Sequence, residues 1–116
     1  MKSKDSLINK ENSQVKFEHS VIVHFSKYLS EDLDDLHNLE LKLIKLIDES
    51  GIGTYDGHGI AIDDTNGTLF MYGTNAETLF KLVLPTLQSV DFMKGAIATL
   101  RFGSYKEEAS EIDLEI

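Results

Sequence analysis

Apolar residues along this chain follow two different periods, and the switches between them outline the elements. Residues 1–14 are polar apart from the initial Met1, Leu7 and Ile8, and read as a flexible arm preceding one domain over residues 15–116. From Val15 the pattern alternates: Val15, Phe17, Val21, Val23 and Phe25, with His19 among them, fall on one face, and Lys16, Glu18, Ser20, Ile22 and His24 on the other. Period two with β-branched and aromatic residues predicts a half-buried strand. Ser30 followed by Glu31 and Asp32 is an N-cap with acids in the first turn, where the helix dipole favours them. Leu33, Leu36, Glu40, Leu43, Ile44 and Ile47, broadened by Leu39 and Leu46, then trace a helical stripe, and Gly51 is placed to end it as a left-handed C′ residue.

Gly51-Ile52-Gly53-Thr54-Tyr55-Asp56-Gly57-His58-Gly59 reads as a glycine-rich loop leading into a hairpin. The hairpin strands are Ile60–Asp64 and Thr68–Tyr72, turning at Asn66-Gly67, because a type I′ turn needs φ > 0 at both central positions. Such a turn pairs Thr65 with Thr68, Ile62 with Met71 and Ala61 with Tyr72. It puts Ile60, Ile62, Leu69 and Met71 on one face and Ala61, Asp63, Phe70 and Tyr72 on the other. Thr74 and Glu77 form a capping box for a second helix with Ala76, Leu79, Phe80, Leu82, Val83 and Leu87 on its apolar side, kinked or split at Pro85 and closed by Lys94-Gly95. Ala98, Leu100 and Phe102 then alternate with Ile97, Thr99 and Arg101, and Ile112, Leu114 and Ile116 alternate with acids in a short terminal edge strand. The order β-α-β-β-α-β is an α+β, ferredoxin-like plait: one antiparallel sheet with two helices on one face and the first strand central.

A length of 116 residues suits one domain, and 41% hydrophobic with 27% charged residues suffices for one core. There is no cysteine, which removes disulfides, thiolate metal sites and a cysteine nucleophile. Neither a signal-peptide core nor a run of about 20 apolar residues is seen, so a cytoplasmic protein without membrane attachment is expected. The net charge of −9 disfavours binding to nucleic acid and favours encounter with a basic partner, though acidity also serves solubility.

Two places can carry chemistry. The sheet face left uncovered by helices gathers Ile22, His24, Ala61, Asp63, Phe70, Tyr72, Thr99 and Arg101, an acidic and aromatic surface for a partner, for a homodimer, or to be covered by the C-terminal strand. Tyr55, Asp56 and His58 form the other, with Asp56 able to orient His58 as a base or ligand; equally, the glycines and Asp56 serve a tight turn. The remaining histidines are scattered, with His37 among polar neighbours on the first helix, so no metal site is expected. No cofactor fingerprint is present either: Gly51-Ile52-Gly53 follows a helix rather than a strand, and Asp64-Thr65-Asn66-Gly67 lacks the closing glutamate of a calcium loop.

The segment Tyr55-Asp56-Gly57-His58-Gly59 and the acids after it resemble the bacterial ribonuclease E inhibitor family, whose members carry a similar Tyr-Asp-Gly-aromatic-Gly segment. That resemblance implies a regulator acting by binding a protein. It covers about ten residues, and the family's long acidic tail has no counterpart among these 116 residues. The run from Gly53 through Gly73 and on to Arg101-Phe102-Gly103 also resembles small uncharacterised bacterial proteins, which implies no activity. The expected function is a non-enzymatic regulatory or inhibitory protein binding a partner through acidic and aromatic surface. The alternative is a small-molecule-sensing plait of the amino-acid-binding regulatory type, with the Gly51–Gly59 segment as ligand contact. A hydrolase or isomerase using His58 with Asp56 is a third possibility.

Overall fold

The computed structural model describes residues 17–26, 34–60, 66–104 and 108–116. The N-terminal arm, the Ser30 cap, Leu33 and residues 61–65, including Ala61, Ile62 and Asp63, lie outside them. The described chain runs β1 (His19–Phe25), α1 (Asp34–Ser50), β2 (Gly53–Ile60), β3 (Gly67–Gly73), α2 (Ala76–Gln88), a 3₁₀ turn (Asp91–Met93), β4 (Ile97–Arg101) and β5 (Glu111–Glu115). The strands form one sheet in the order β2-β3-β1-β4-β5, every adjacent pair antiparallel. The first four strands make the expected plait with β1 central, and β5 lengthens the sheet at the β4 edge.

The alternation read from the sequence sorts the two faces. Val21, Val23, Leu69, Met71, Ala98 and Leu100 are fully buried on the helix side, against Leu36, Leu39, Leu43 and Ile47 of α1 and Ala76, Leu79, Val83 and Leu87 of α2. Ile22, His24, Phe70, Tyr72, Thr99 and Arg101 lie on the opposite face, half-buried or exposed. Gly51 closes α1 at φ +73°, its N–H donating to the Ile47 carbonyl at 3.2 Å, as a C′ glycine does.

Five local expectations are corrected. Instead of pairing Thr65 with Thr68 around a tight Asn66-Gly67 turn, the hairpin pairs Ile60 with Gly67, Tyr55 with Met71 and Thr54 with Tyr72. The glycine-rich segment is therefore itself the strand, and the connection spans six residues. Gly67 has no positive φ. It is small because a Cβ there would overlap the ring of Phe25, its cross-strand partner. Gly53 and Gly73 pair with each other, and added Cβ atoms there would run into backbone: that of Gly53 into the Tyr72 carbonyl oxygen, and that of Gly73 to 2.8 Å from the Ile52 carbonyl oxygen. Gly53, Gly67 and Gly73 thus answer close packing rather than turning.

At α2 the cap is Asn75, whose Oδ1 accepts from the Thr78 N–H at 2.9 Å. Thr74 is instead held by its N–H donating to the Ile52 carbonyl at 3.0 Å, which keeps the chain extended one residue further. Pro85 does not split the helix. It falls in the last turn, where its missing N–H removes one bond, and buried Leu87 beyond it anchors the end. The helix stops at Gln88 rather than at Lys94-Gly95; Gly95, at φ +82°, turns the chain into β4. Finally, β5 does not cover the open face but joins the sheet in plane.

Gly67→Ala is expected to destabilise the domain by about 1–3 kcal/mol, the cost of overpacking a filled site. A urea-unfolding midpoint equal to that of the parent chain would contradict the packing role assigned to Gly67.

Candidate functional site

In a regular strand, Tyr55 and His58 are three residues apart and project from opposite faces. Here they share a face. Tyr55 pairs with Met71 and Gly57 with Phe70, so Asp56 is an extra, unpaired residue, and Gly57 takes φ +113° to complete the bulge. His58 then lies opposite Leu69, on the helix side with Tyr55.

What they meet is Glu40 on α1. This glutamate occupies a position of the apolar stripe, in sequence with Leu36, Leu43 and Ile47, and is only 8% exposed. A buried carboxylate is costly unless hydrogen bonds replace its water. The Tyr55 hydroxyl donates to Glu40 Oε2 at 2.6 Å, and His58 Nδ1 lies 2.6 Å from the same oxygen. An ionised carboxylate only accepts, which assigns the ring proton to Nδ1 and leaves Nε2 directed away from Glu40. Burial, the hydrogen bond to Glu40 and the Glu40 charge, in that order, push the Tyr55 pKa well above its ordinary 10.0, so the phenol is a permanent donor at physiological pH.

These groups line an open cleft of about 560 Å³ between α1 and β2. His37, Leu41 and Ile44 of α1 supply one wall, and Tyr55, Asp56, Gly57 and His58 the other, with Glu40 as the buried acid. The His37 and His58 rings stand 6.4 Å apart, centroid to centroid. A carboxylate-oriented imidazole with one nitrogen free can accept a proton or a hydrogen bond from whatever enters. Among the described residues, no three His, Asp or Glu side chains are arranged to hold a metal ion.

The structure brings Tyr55, Asp56 and His58 together in this cleft but gives His58 the distant Glu40, rather than its near neighbour Asp56, as orienting carboxylate. Asp56 is exposed, because the bulge turns it out of the ladder. Phe70, Tyr72, His24 and Arg101 lie on the other face of the sheet and form no part of the cleft. There His24 Nδ1 meets Thr68 Oγ1 at 3.2 Å. Arg101 donates to Glu111 Oε2 at 2.8 Å and to the Ser104 carbonyl at 3.2 Å. Asp63 lies outside the described residues. Glu40 and His37 were not among the sequence candidates. The usable signal for Glu40 was a charged residue inside an apolar stripe, which requires donors from a facing element; His37, one turn earlier on the helix, carried none.

An antiparallel plait with a largely apolar cleft at its β2 edge, built over one buried carboxylate, is thus the class of domain described. No protein-family model, no curated protein and no solved structure matches the chain. Among the described residues, no helix is long and apolar enough to cross a membrane.

The folded protein holds the Tyr55 proton more tightly than the unfolded chain does. The stability linked to that proton is therefore fully present below pH 10.0 and is lost as pH rises beyond it. Unfolding of the parent and of Tyr55→Phe, followed from pH 8 to 11, should show a steeper alkaline loss in the parent. Parallel curves would remove the assigned burial of the phenol.

Proposed function

We propose that this domain is a cytoplasmic, non-enzymatic regulatory or inhibitory protein that binds a protein partner at the α1–β2 cleft. One observation carries the reading: a buried, pre-organised carboxylate sits beside two outward apolar side chains, Leu41 at 64% and Ile44 at 38% exposure. Exposed leucine and isoleucine next to a fixed polar anchor have the anatomy of a recognition hot spot, apolar contact excluding water around a few oriented groups. Among the described residues, those lining the cleft include no serine, threonine, cysteine or lysine that His58 could activate, which supports binding over nucleophilic catalysis. The resemblance of Tyr55–Gly59 to a family of protein-binding inhibitors points the same way. Phe70 and Tyr72, half-buried on the opposite face, are the place for self-association in the same reading.

The volume of the cleft favours a second reading, a sensor for a small molecule, since about 300–1,000 Å³ is usual for ligand sites. The two readings separate in one comparison. Affinity capture from the source cell's lysate, with the parent chain and with Leu41→Gln/Ile44→Gln, should retain a protein on the parent that the double variant loses at least about 10-fold. Equal retention by both, or none by either, contradicts partner binding at the cleft. A thermal shift with one class of metabolite in the absence of any captured protein would establish the sensor instead.

A further inference from the structure

We propose that the cleft between α1 and β2 receives a basic side chain, lysine or arginine, projecting from the protein partner. This deepens the partner-binding reading given above and rests on it. The argument is an account of donors and acceptors. The Tyr55 hydroxyl and the His58 Nδ1–H are both directed at Glu40 Oε2. With those donors committed inward, the acceptors left to an occupant are Glu40 Oε1 and the carboxylate of exposed Asp56. His37, at the outer wall, adds an imidazole. Among the described residues no lysine or arginine lines the cleft, and the only partner of opposite potential charge that Glu40 meets there is the His58 imidazole.

Such a site rejects an anion, which would face two carboxylates, and rewards a group with several N–H donors and a positive charge. The rest of the cleft fits the remainder of such a side chain. The methylene stems of lysine and arginine cover apolar surface while their heads seek polar groups, and Leu41 and Ile44 supply that surface at the mouth. An open cleft admits a side chain that remains attached to a large partner. The −9 charge of the whole chain steers a basic partner toward it over distance.

The test is an amide-resolved NMR titration at pH 8.5 with four blocked tripeptides, acetyl-Gly-X-Gly-amide, where X is lysine, arginine, norleucine or glutamate. The lysine peptide, the arginine peptide or both should give saturable shifts at His37, Glu40, Tyr55 and His58, with a Kd on the order of 1 mM. Norleucine and glutamate should give none, and the preference between lysine and arginine names the head group. Glu40→Gln, which keeps the shape and removes the charge, should weaken binding about 10-fold or more. Asp56→Asn, at an exposed position that no packing depends on, should weaken it about 2–5-fold, so the charge dependence is readable even if Glu40→Gln proves poorly folded. Norleucine binding as well as lysine, glutamate binding at all, or no saturable shift with either basic peptide overturns the inference. If these peptides fail while capture still depends on Leu41 and Ile44, only the cation chemistry falls. If they bind while no protein is retained, it is the partner-binding reading that fails.

Discussion

A carboxylate taken out of water sets the demand that the rest of the cleft meets. Glu40 sits among leucines and isoleucine on the buried side of α1, where its charge is tolerable only with donors at short range. The sheet supplies two of them from a single strand, and a regular strand cannot, because residues at odd spacing diverge. The extra residue Asp56 resolves the geometry: it advances the alternation by one, so that Tyr55 and His58 arrive together at Glu40 Oε2. Helix stripe, bulge and hydrogen bonds are therefore mutually dependent. Loss of the bulge would turn His58 to the far face and leave the acid short of a partner.

The same pair of bonds holds β2 against α1 at the edge of the sheet. Elsewhere the layers are joined by apolar contact, and by the Ala76 N–H donating to His19 Nδ1 at 3.1 Å, which ties the start of α2 to β1. The central position of β1, between β3 and β4, gives its apolar side chains cover from both helices.

Much of this was legible in the chain because period two and period 3.6 are properties of the sequence itself. Val21, Val23, Leu69, Met71, Ala98 and Leu100 sort to the core as their alternation requires, and Gly51 ends its helix at positive φ. The hairpin register is not legible from the local sequence because glycine has two uses. At Gly67 it makes room for the Phe25 ring, a long-range demand that a local Asn-Gly signature cannot distinguish from a turn. The cleft was half legible for a similar reason: Tyr55, Asp56 and His58 announce themselves as a cluster along the chain. Their partner Glu40 is 15 and 18 residues from the two donors, and the bulge that unites them depends on pairing with β3.

Both borders of the sheet also bear on how copies of this chain coexist at high concentration. An open strand edge is a template for another strand, and among the described residues β2 and β5 are the two edges. At β2 the bulge interrupts the row of backbone groups, so the residue that brings His58 to Glu40 also spoils that edge for a second chain. At β5, Glu111, Asp113 and Glu115 stand on one side of the strand, and two such edges brought side by side would oppose like charges. The bulge residue Asp56 and the acids of β5 thus guard the two described sheet edges against fibrous self-pairing.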